Sequence, residues 1–153
     1  MMAVKPIPES YPRVSPYLIV KNVEDTMDFI QYVFAGKVRE KIKMPDRSVN
    51  HGEMNIGDSV IMIGKASADY PQQNAMLYIY VEDTDAAYKR ALEKGADSVM
   101  EPANQFYGDR NGGVKDNNGI SWWMATHVED VTPEELQTRN QQRYEKGNNR
   151  NKM

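Results

Sequence analysis

The spacing of apolar residues changes several times along the chain, and each change marks an element. Residues 1–13 carry Pro6, Pro8 and Pro12 without any hydrophobic period, which predicts an extended arm. Tyr17-Leu18-Ile19-Val20 is a short, partly β-branched apolar run and predicts a strand. Val23-Glu24-Asp25-Thr26 then supplies a cap candidate and early acidic residues, and Met27, Ile30, Val33 and Phe34 fall at helical spacing until Gly36 ends the pattern. Three further strands are predicted over 38–43, 49–56 and 59–63, parted by Pro45-Asp46 and Gly57-Asp58.

After a polar linker over 65–75 the same order returns. A strand is predicted over 76–81, then a helix with Ala87, Tyr88, Ala91 and Leu92 as its apolar stripe and Gly95 as its stop, then strands over 97–100, 113–116 and 121–126. The chain is therefore expected to hold two βαβββ units, 15–64 and 75–127. Val23-Glu24-Asp25-Thr26 recurs at Val81-Glu82-Asp83-Thr84, and Gly57-Asp58-Ser59 matches Gly119-Ile120-Ser121. The second interval is about four residues longer, so an insertion is expected in a loop over 101–112. The layout is an arm over 1–13, one domain over 14–130, and a polar tail over 131–153. In that tail residues 133–146 are expected to be helical and the final GNNRNKM disordered.

Composition narrows the class. With 153 residues, 40% hydrophobic and 27% charged, the chain suits a single soluble domain and has no run long enough to cross a bilayer. Nothing in MMAVKPIPESYP has a signal-peptide core, so the cytoplasm is the expected compartment. The absence of cysteine excludes disulfides, thiolate nucleophiles and thiolate-bound metal. A net charge of −3 with mixed signs gives no footprint for nucleic acid, and no membrane partner is expected.

The duplicated units, Gly-Ala-Asp at 95–97, Tyr-Gly-Asp-Arg at 107–110, Asp116-Asn117-Asn118-Gly119 and Trp122-Trp123 together resemble the glyoxalase/bleomycin-resistance/dioxygenase (vicinal oxygen chelate) superfamily, with the PhnB-like proteins as the nearest branch. The resemblance covers roughly 14–130 and is strongest over 105–127. It implies an α+β fold of tandem βαβββ units forming a curved mixed sheet, a half-barrel cup with helices outside, and it implies a homodimer. In the metalloenzymes of this superfamily, His or Glu ligands sit on the first and last strand of each unit. The matching positions here are Ser15, Met62, Met76 and Trp123, which lack the hard donors a divalent ion wants, so no metal or other cofactor is expected.

Strand alternation sets Leu18, Val20, Ile61, Ile63, Leu77, Ile79 and Val81 toward the helices, and Ser15, Tyr17, Ile19, Val60, Met62, Met76, Tyr78, Tyr80, Trp123 and Ala125 toward the cup. That second set is aromatic and rich in methionine, which suits an aromatic or drug-like organic ligand; a filled, dry core is the competing reading. By the same alternation His51, Glu53 and Asn55 point into the cup, where polar groups require partners. His51 and Glu53 are the catalytic candidates, as an acid/base or recognition pair, with a metal pair or a structural pair as alternatives. His127 shares the cup-facing parity, Lys115 is the expected counterpart of Glu53 and a partner for it across the cup, and Asp109-Arg110 is either a local bridge or a cationic fork for an anion. Asn111-Gly112-Gly113 predicts a mobile lid or a tight turn.

The ligand set expected from sequence is thus Tyr17, His51, Glu53, Met62, Met76, Tyr78, Trp123 and Arg110. The function expected is binding of a small organic molecule without metal. A lyase or dioxygenase-type metalloenzyme using His51 and Glu53, and an interaction module with a closed cup, are the alternatives.

Overall fold

A computed structural model describes residues 3–151. The first unit runs β1 (Tyr17–Val20), α1 (Val23–Phe34), β2 (Lys37–Lys43), β3 (Val49–Ile56) and β4 (Ser59–Lys65). The second runs β5 (Ala75–Tyr80), α2 (Thr84–Glu93), β6 (Asp97–Asn104), β7 (Asp109–Lys115) and β8 (Ile120–His127), and α3 (Pro133–Asn151) follows. Each unit is a four-stranded curved mixed sheet, in the orders β1-β4-β3-β2 and β5-β8-β7-β6. In each, the first strand pairs in parallel with the last and the remaining pairs are antiparallel.

Helices α1 and α2 each begin on a side chain that satisfies one of their orphan amides. Asn22 Oδ1 accepts from the Asp25 amide at 3.0 Å, and Asp83 Oδ1 from that of Ala86 at 3.0 Å. The equivalent caps are therefore Asn22 and Asp83, so the repeated Val-Glu-Asp-Thr tetrapeptides do not superimpose: the first opens α1, whereas the second supplies only the cap and first residue of α2. One constant interval relates Asn22 to Asp83, Tyr17 to Tyr78 and Met62 to Trp123.

The insertion expected over 101–112 is accordingly absent. β6 extends to Asn104, a short turn closed by Gln105 N–H to Asp109 O at 2.7 Å follows, and β7 starts at Asp109. Asn111-Gly112-Gly113 is neither lid nor turn but the middle of β7. Glycine is required at 113 because the Trp123 ring lies there; a Cβ would stand 2.7 Å from it. The tail also differs from expectation, since α3 continues through Asn151 rather than ending at 146; residues 152–153 of the expected disordered segment lie outside the described residues.

One core serves both units. Leu18, Val20, Met27, Ile30, Val33, Met54, Ile61 and Ile63 of the first are continuous with Ala87, Ala91, Val114, Ile120, Trp122 and Met124 of the second. Trp122 joins them: its ring lies 5.3 Å from that of Phe29 and 5.6 Å from that of Phe34, and its Nε1–H donates to Asp116 Oδ2 at 2.8 Å. Arg90 of α2 adds a polar joint, donating from Nε and Nη2 to the Val33 carbonyl at the end of α1. The helices thus pack on each other, and the opposite face of each sheet is left open. On those faces Tyr17 is 54% exposed, Met76 64%, Tyr78 40% and Tyr80 63%, so the face residues do not fill a dry core within one chain.

Candidate functional site: two open sheet faces

The first face is built on three adjacent strands. Tyr17 of β1 stands opposite Met62 of β4, which stands opposite Glu53 of β3. Gly52 and Met54 turn toward α1, so His51, Glu53 and Asn55 turn away from it, as alternation requires. His51 Nε2 lies 2.9 Å from Glu53 Oε2, and Tyr17 Oη lies 3.2 Å from His51 Nδ1. In the neutral imidazole those contacts fit one tautomer, with Nε2–H donating to the carboxylate and Nδ1 accepting from the phenol.

The N-terminal arm closes over this cluster. It turns at Pro8–Tyr11, where Ser10 takes φ 61°, and Tyr11 Oη donates to Glu53 Oε1 at 2.5 Å. Arg39 lies over the Tyr11 ring, 4.2 Å from its centroid, and donates to Ser10 O and Asn55 Oδ1. Glu53 is left 6% exposed. Burial alone would raise its carboxyl pKa; the hydrogen bonds from Tyr11 and His51 outweigh burial and hold it below the ordinary carboxylate value.

The second face carries a cluster of the same ingredients at a different place in the repeat. Asp109, 4% exposed at the start of β7, accepts from Tyr78 Oη at 2.7 Å and Tyr80 Oη at 2.9 Å through Oδ2, and its Oδ1 lies 2.9 Å from His127 Nδ1. His127 Nε2 lies 2.7 Å from Asp130 Oδ1. Both ring nitrogens thus face carboxylates, and hydrogen bonds with Asp109 and then Asp130 raise the histidine pKa above its ordinary value. Asp109 follows Glu53: burial works against its charge, but Tyr78, His127 and Tyr80 together hold it below the ordinary value. Burial and the bond to Asp109 push the Tyr78 phenol up, so it stays neutral. Asn111 Nδ2 donates to Tyr78 Oη at 3.1 Å and Tyr107 Oη at 2.5 Å, while its Oδ1 is buried without a partner among the described residues.

The residues expected from sequence divide accordingly. Tyr17, His51, Glu53 and Met62 share the first face; Met76, Tyr78 and Trp123 share the second. Arg110 joins neither. Its parity along β7 turns it to the helix side, where Nε and Nη2 hold both oxygens of Asp85 at 2.7 and 2.8 Å, so it is neither a fork for a ligand nor a bridge to Asp109. Lys115 makes no ion pair with Glu53 among the described residues. The rung of Glu53 corresponds to Gly113, the partner of Trp123, and Lys115 stands exposed at the far end of β7. Tyr11, Arg39, Asn111 and Tyr107 belong to the clusters but carry no sequence signal that places them there. Asp109 and His127 are paired on adjacent strands, which equal parity could have revealed had β7 been extended back to 109.

A metal held as in the superfamily's metalloenzymes would need donors at four matching positions. Ser15, Met62, Met76 and Trp123 offer a hydroxyl, two thioethers and an indole N–H, and the rungs of Met62 and Trp123 are shared with Tyr17 and Tyr78. These donors do not fit a hard or borderline divalent ion. A groove of about 1180 Å³ runs between the units beside β5. Pro12, Pro16 and Val60 face Met76, Tyr78 and Tyr80 across it, and it does not reach His51, Glu53 or Trp123. Among the described residues no helix is long and apolar enough to cross a membrane.

Paired βαβββ sheets with open, aromatic faces define the class to which this molecule belongs. The family model for the Glyoxalase/Bleomycin resistance protein/Dioxygenase superfamily matches residues 12–124, and the chain belongs to that superfamily. An uncharacterized protein of Mycobacterium bovis is 28% identical over 140 residues, covering 82% of this chain and 90% of its own. Among solved structures, TioX from Micromonospora sp. ML1 is similar with TM-score 0.64 and 19% identity, over 76% of this chain and 99% of its own. A glyoxalase/bleomycin resistance protein/dioxygenase family enzyme from Burkholderia phytofirmans PsJN is similar with TM-score 0.62 and 17% identity, over 78% and 98%. At these identities the structural likeness concerns the fold.

Proposed function

We propose that the protein binds a small organic, aromatic or drug-like molecule without metal, in a cup that a homodimer completes, and that it works in the cytoplasm as a PhnB-like member of the superfamily. The observation that carries this reading is the pair of open faces. Each presents aromatic and methionine side chains around a buried carboxylate bonded to a histidine, yet the helices of one chain pack together on the far side, leaving the second face uncovered and the first covered only where the arm docks on Glu53. A second copy laying its second face on the first face of this one would enclose both clusters and remove the exposed apolar surface from water. Met62, Met76, Tyr78 and Trp123 would then line the cup as shape-adapting and stacking surfaces, while His51 and Glu53 supply polar recognition.

The experiment is a titration of the purified protein with a panel of aromatic molecules, followed by tryptophan fluorescence, with sedimentation to count subunits and metal analysis of protein prepared without chelator. A dimer whose fluorescence is quenched by some members of the panel, equally with and without chelator, is expected. A monomer, a silent panel, or a stoichiometric divalent ion lost on His51→Ala would overturn the reading.

A further inference from the structure

We propose that the open face of the second unit is a binding site for an organic ammonium ion, held by the rings of Tyr78 and Tyr80 against the buried carboxylate of Asp109. The inference rests on the small-molecule reading above and names the chemical class of its ligand for this face.

The first unit shows what such a cluster looks like when filled. There a tyrosine hydroxyl, that of Tyr11, is hydrogen-bonded to the buried carboxylate of Glu53, and the chain's own guanidinium, that of Arg39, lies 4.2 Å from the centroid of the same ring. The ring thus holds the carboxylate at its hydroxyl and the cation over its face. The second unit repeats the arrangement with two rings on one carboxylate, Tyr78 and Tyr80 both donating to Asp109 Oδ2 at 2.7 and 2.9 Å, but among the described residues no guanidinium or ammonium lies over either ring.

The nearby cations are committed elsewhere. Arg110 turns to the opposite face and grips Asp85, Arg139 is held by Glu129 and Glu135, and Arg143 covers Phe106. His127 is shared between Asp109 and Asp130, so two carboxylates face one imidazole. An anionic ligand would meet two carboxylates that share one imidazole, whereas a cation adds positive charge beside them.

Geometry favours the same class. A phenol that donates to a carboxylate gains electron density in its ring, which strengthens the negative ring face that attracts cations. The Tyr78 and Tyr80 rings are 5.5 Å apart and inclined at 76°, so together they form two walls of a corner rather than a flat platform. Tyr80 and Met76 are 63% and 64% exposed, leaving the corner accessible. Beneath it Asn111 Oδ1 is a buried acceptor with no partner among the described residues, a vacancy suited to a donor.

The test uses three probes of similar size and different charge: benzylammonium, benzyl alcohol and benzenesulfonate, titrated into the full chain by calorimetry and tryptophan fluorescence. The cation is expected to bind about tenfold or more tightly than either of the others, a difference of about 1.4 kcal/mol. Asp109→Asn and Tyr80→Leu are each expected to weaken it about tenfold, and Glu24→Gln, at an exposed carboxylate of α1 that belongs to neither face, to leave it within about twofold. Because Tyr80 is an exposed ring, its variant answers the question even where Asp109→Asn does not fold. Equal binding of cation and sulfonate, or cation binding unchanged in Tyr80→Leu, would overturn the proposal. Binding of benzyl alcohol as tightly as the cation would remove the ammonium assignment and leave the small-molecule reading standing; silence from all three probes and from the wider aromatic panel removes both.

Discussion

Tyr17 reaches His51 by lying across Gly64. The phenol oxygen stands 3.2 Å from His51 Nδ1, and a Cβ on Gly64 would fall 2.8 Å from the same ring. The site therefore depends on a residue that has no side chain. Gly64→Ala is expected to push the ring off His51 and to destabilise the fold by about 1–2 kcal/mol through overpacking. The check is the His51 Nδ1 resonance together with a urea midpoint; an unmoved resonance would show that the ring does not need the gap.

Trp122 and Trp123 are neighbours in sequence with opposite roles. Trp122 is fully buried between the units and stacked on Phe29 and Phe34, so Trp122→Ala is expected to cost about 3–5 kcal/mol. Trp123 lies half-buried on the open face over Gly113, and Trp123→Ala should cost clearly less while removing the ligand-sensitive part of the fluorescence. Chemical unfolding of both variants beside the wild type distinguishes the two; equal losses would mean that the faces have been misassigned.

Stability should fall away on both sides of a middle range of pH. Glu53 and Asp109 have folded-state pKa values below their ordinary ones, so their contribution is present above about pH 4 and is lost as pH falls through the folded values. His127 is shifted the other way. Its contribution is complete below about pH 6.5 and is lost as pH rises through its raised folded value. In urea midpoints taken across this range, Asp109→Asn should flatten the acid limb and His127→Gln the alkaline one. An alkaline limb that survives His127→Gln would place its origin elsewhere.

Tyr11 is the one arm residue whose removal should register inside the sheet. Tyr11→Phe deletes the 2.5 Å hydrogen bond to Glu53 while keeping the ring beneath Arg39. The Glu53 carboxyl should then titrate at higher pH, and stability should drop by about 1–2 kcal/mol. Carbon-detected titration of the glutamate side chains reads the shift, and an unchanged Glu53 would mean that the arm does not dock in solution.

Most of the architecture was legible in the sequence because alternation and helical spacing are local. The residues placed on each side of β1, β3, β4, β5 and β8 fall where parity put them. The errors came where one residue type has two meanings. Asp83 in Val81-Glu82-Asp83-Thr84 looks like the interior of a helix start because Asp25 is, yet any short polar side chain can cap, and in the second unit Asp83 does. The unequal repeat intervals pointed to a loop over 101–112 and Asn111-Gly112-Gly113 to a lid or turn, but β6 is an edge strand that accommodates Pro102, and the glycines make room for Pro102 and Trp123. His51 and Glu53 could be paired because they are two residues apart on one strand. Tyr11 and Glu53, 42 residues apart, are joined only by the folding of the arm, which no periodicity encodes.

The diagonal that runs from Tyr17 to His51 in the first unit runs from Tyr78 to Asn111 in the second, with Gly64 in one and Ala125 in the other at the crossing point. Two separate identical subunits could never differ in this way, since every substitution would appear in both. Joining them in one polypeptide lets an imidazole stand on one side and an amide on the other. The linker over 66–74 is thus what frees a symmetric scaffold to carry different chemistry on its two faces.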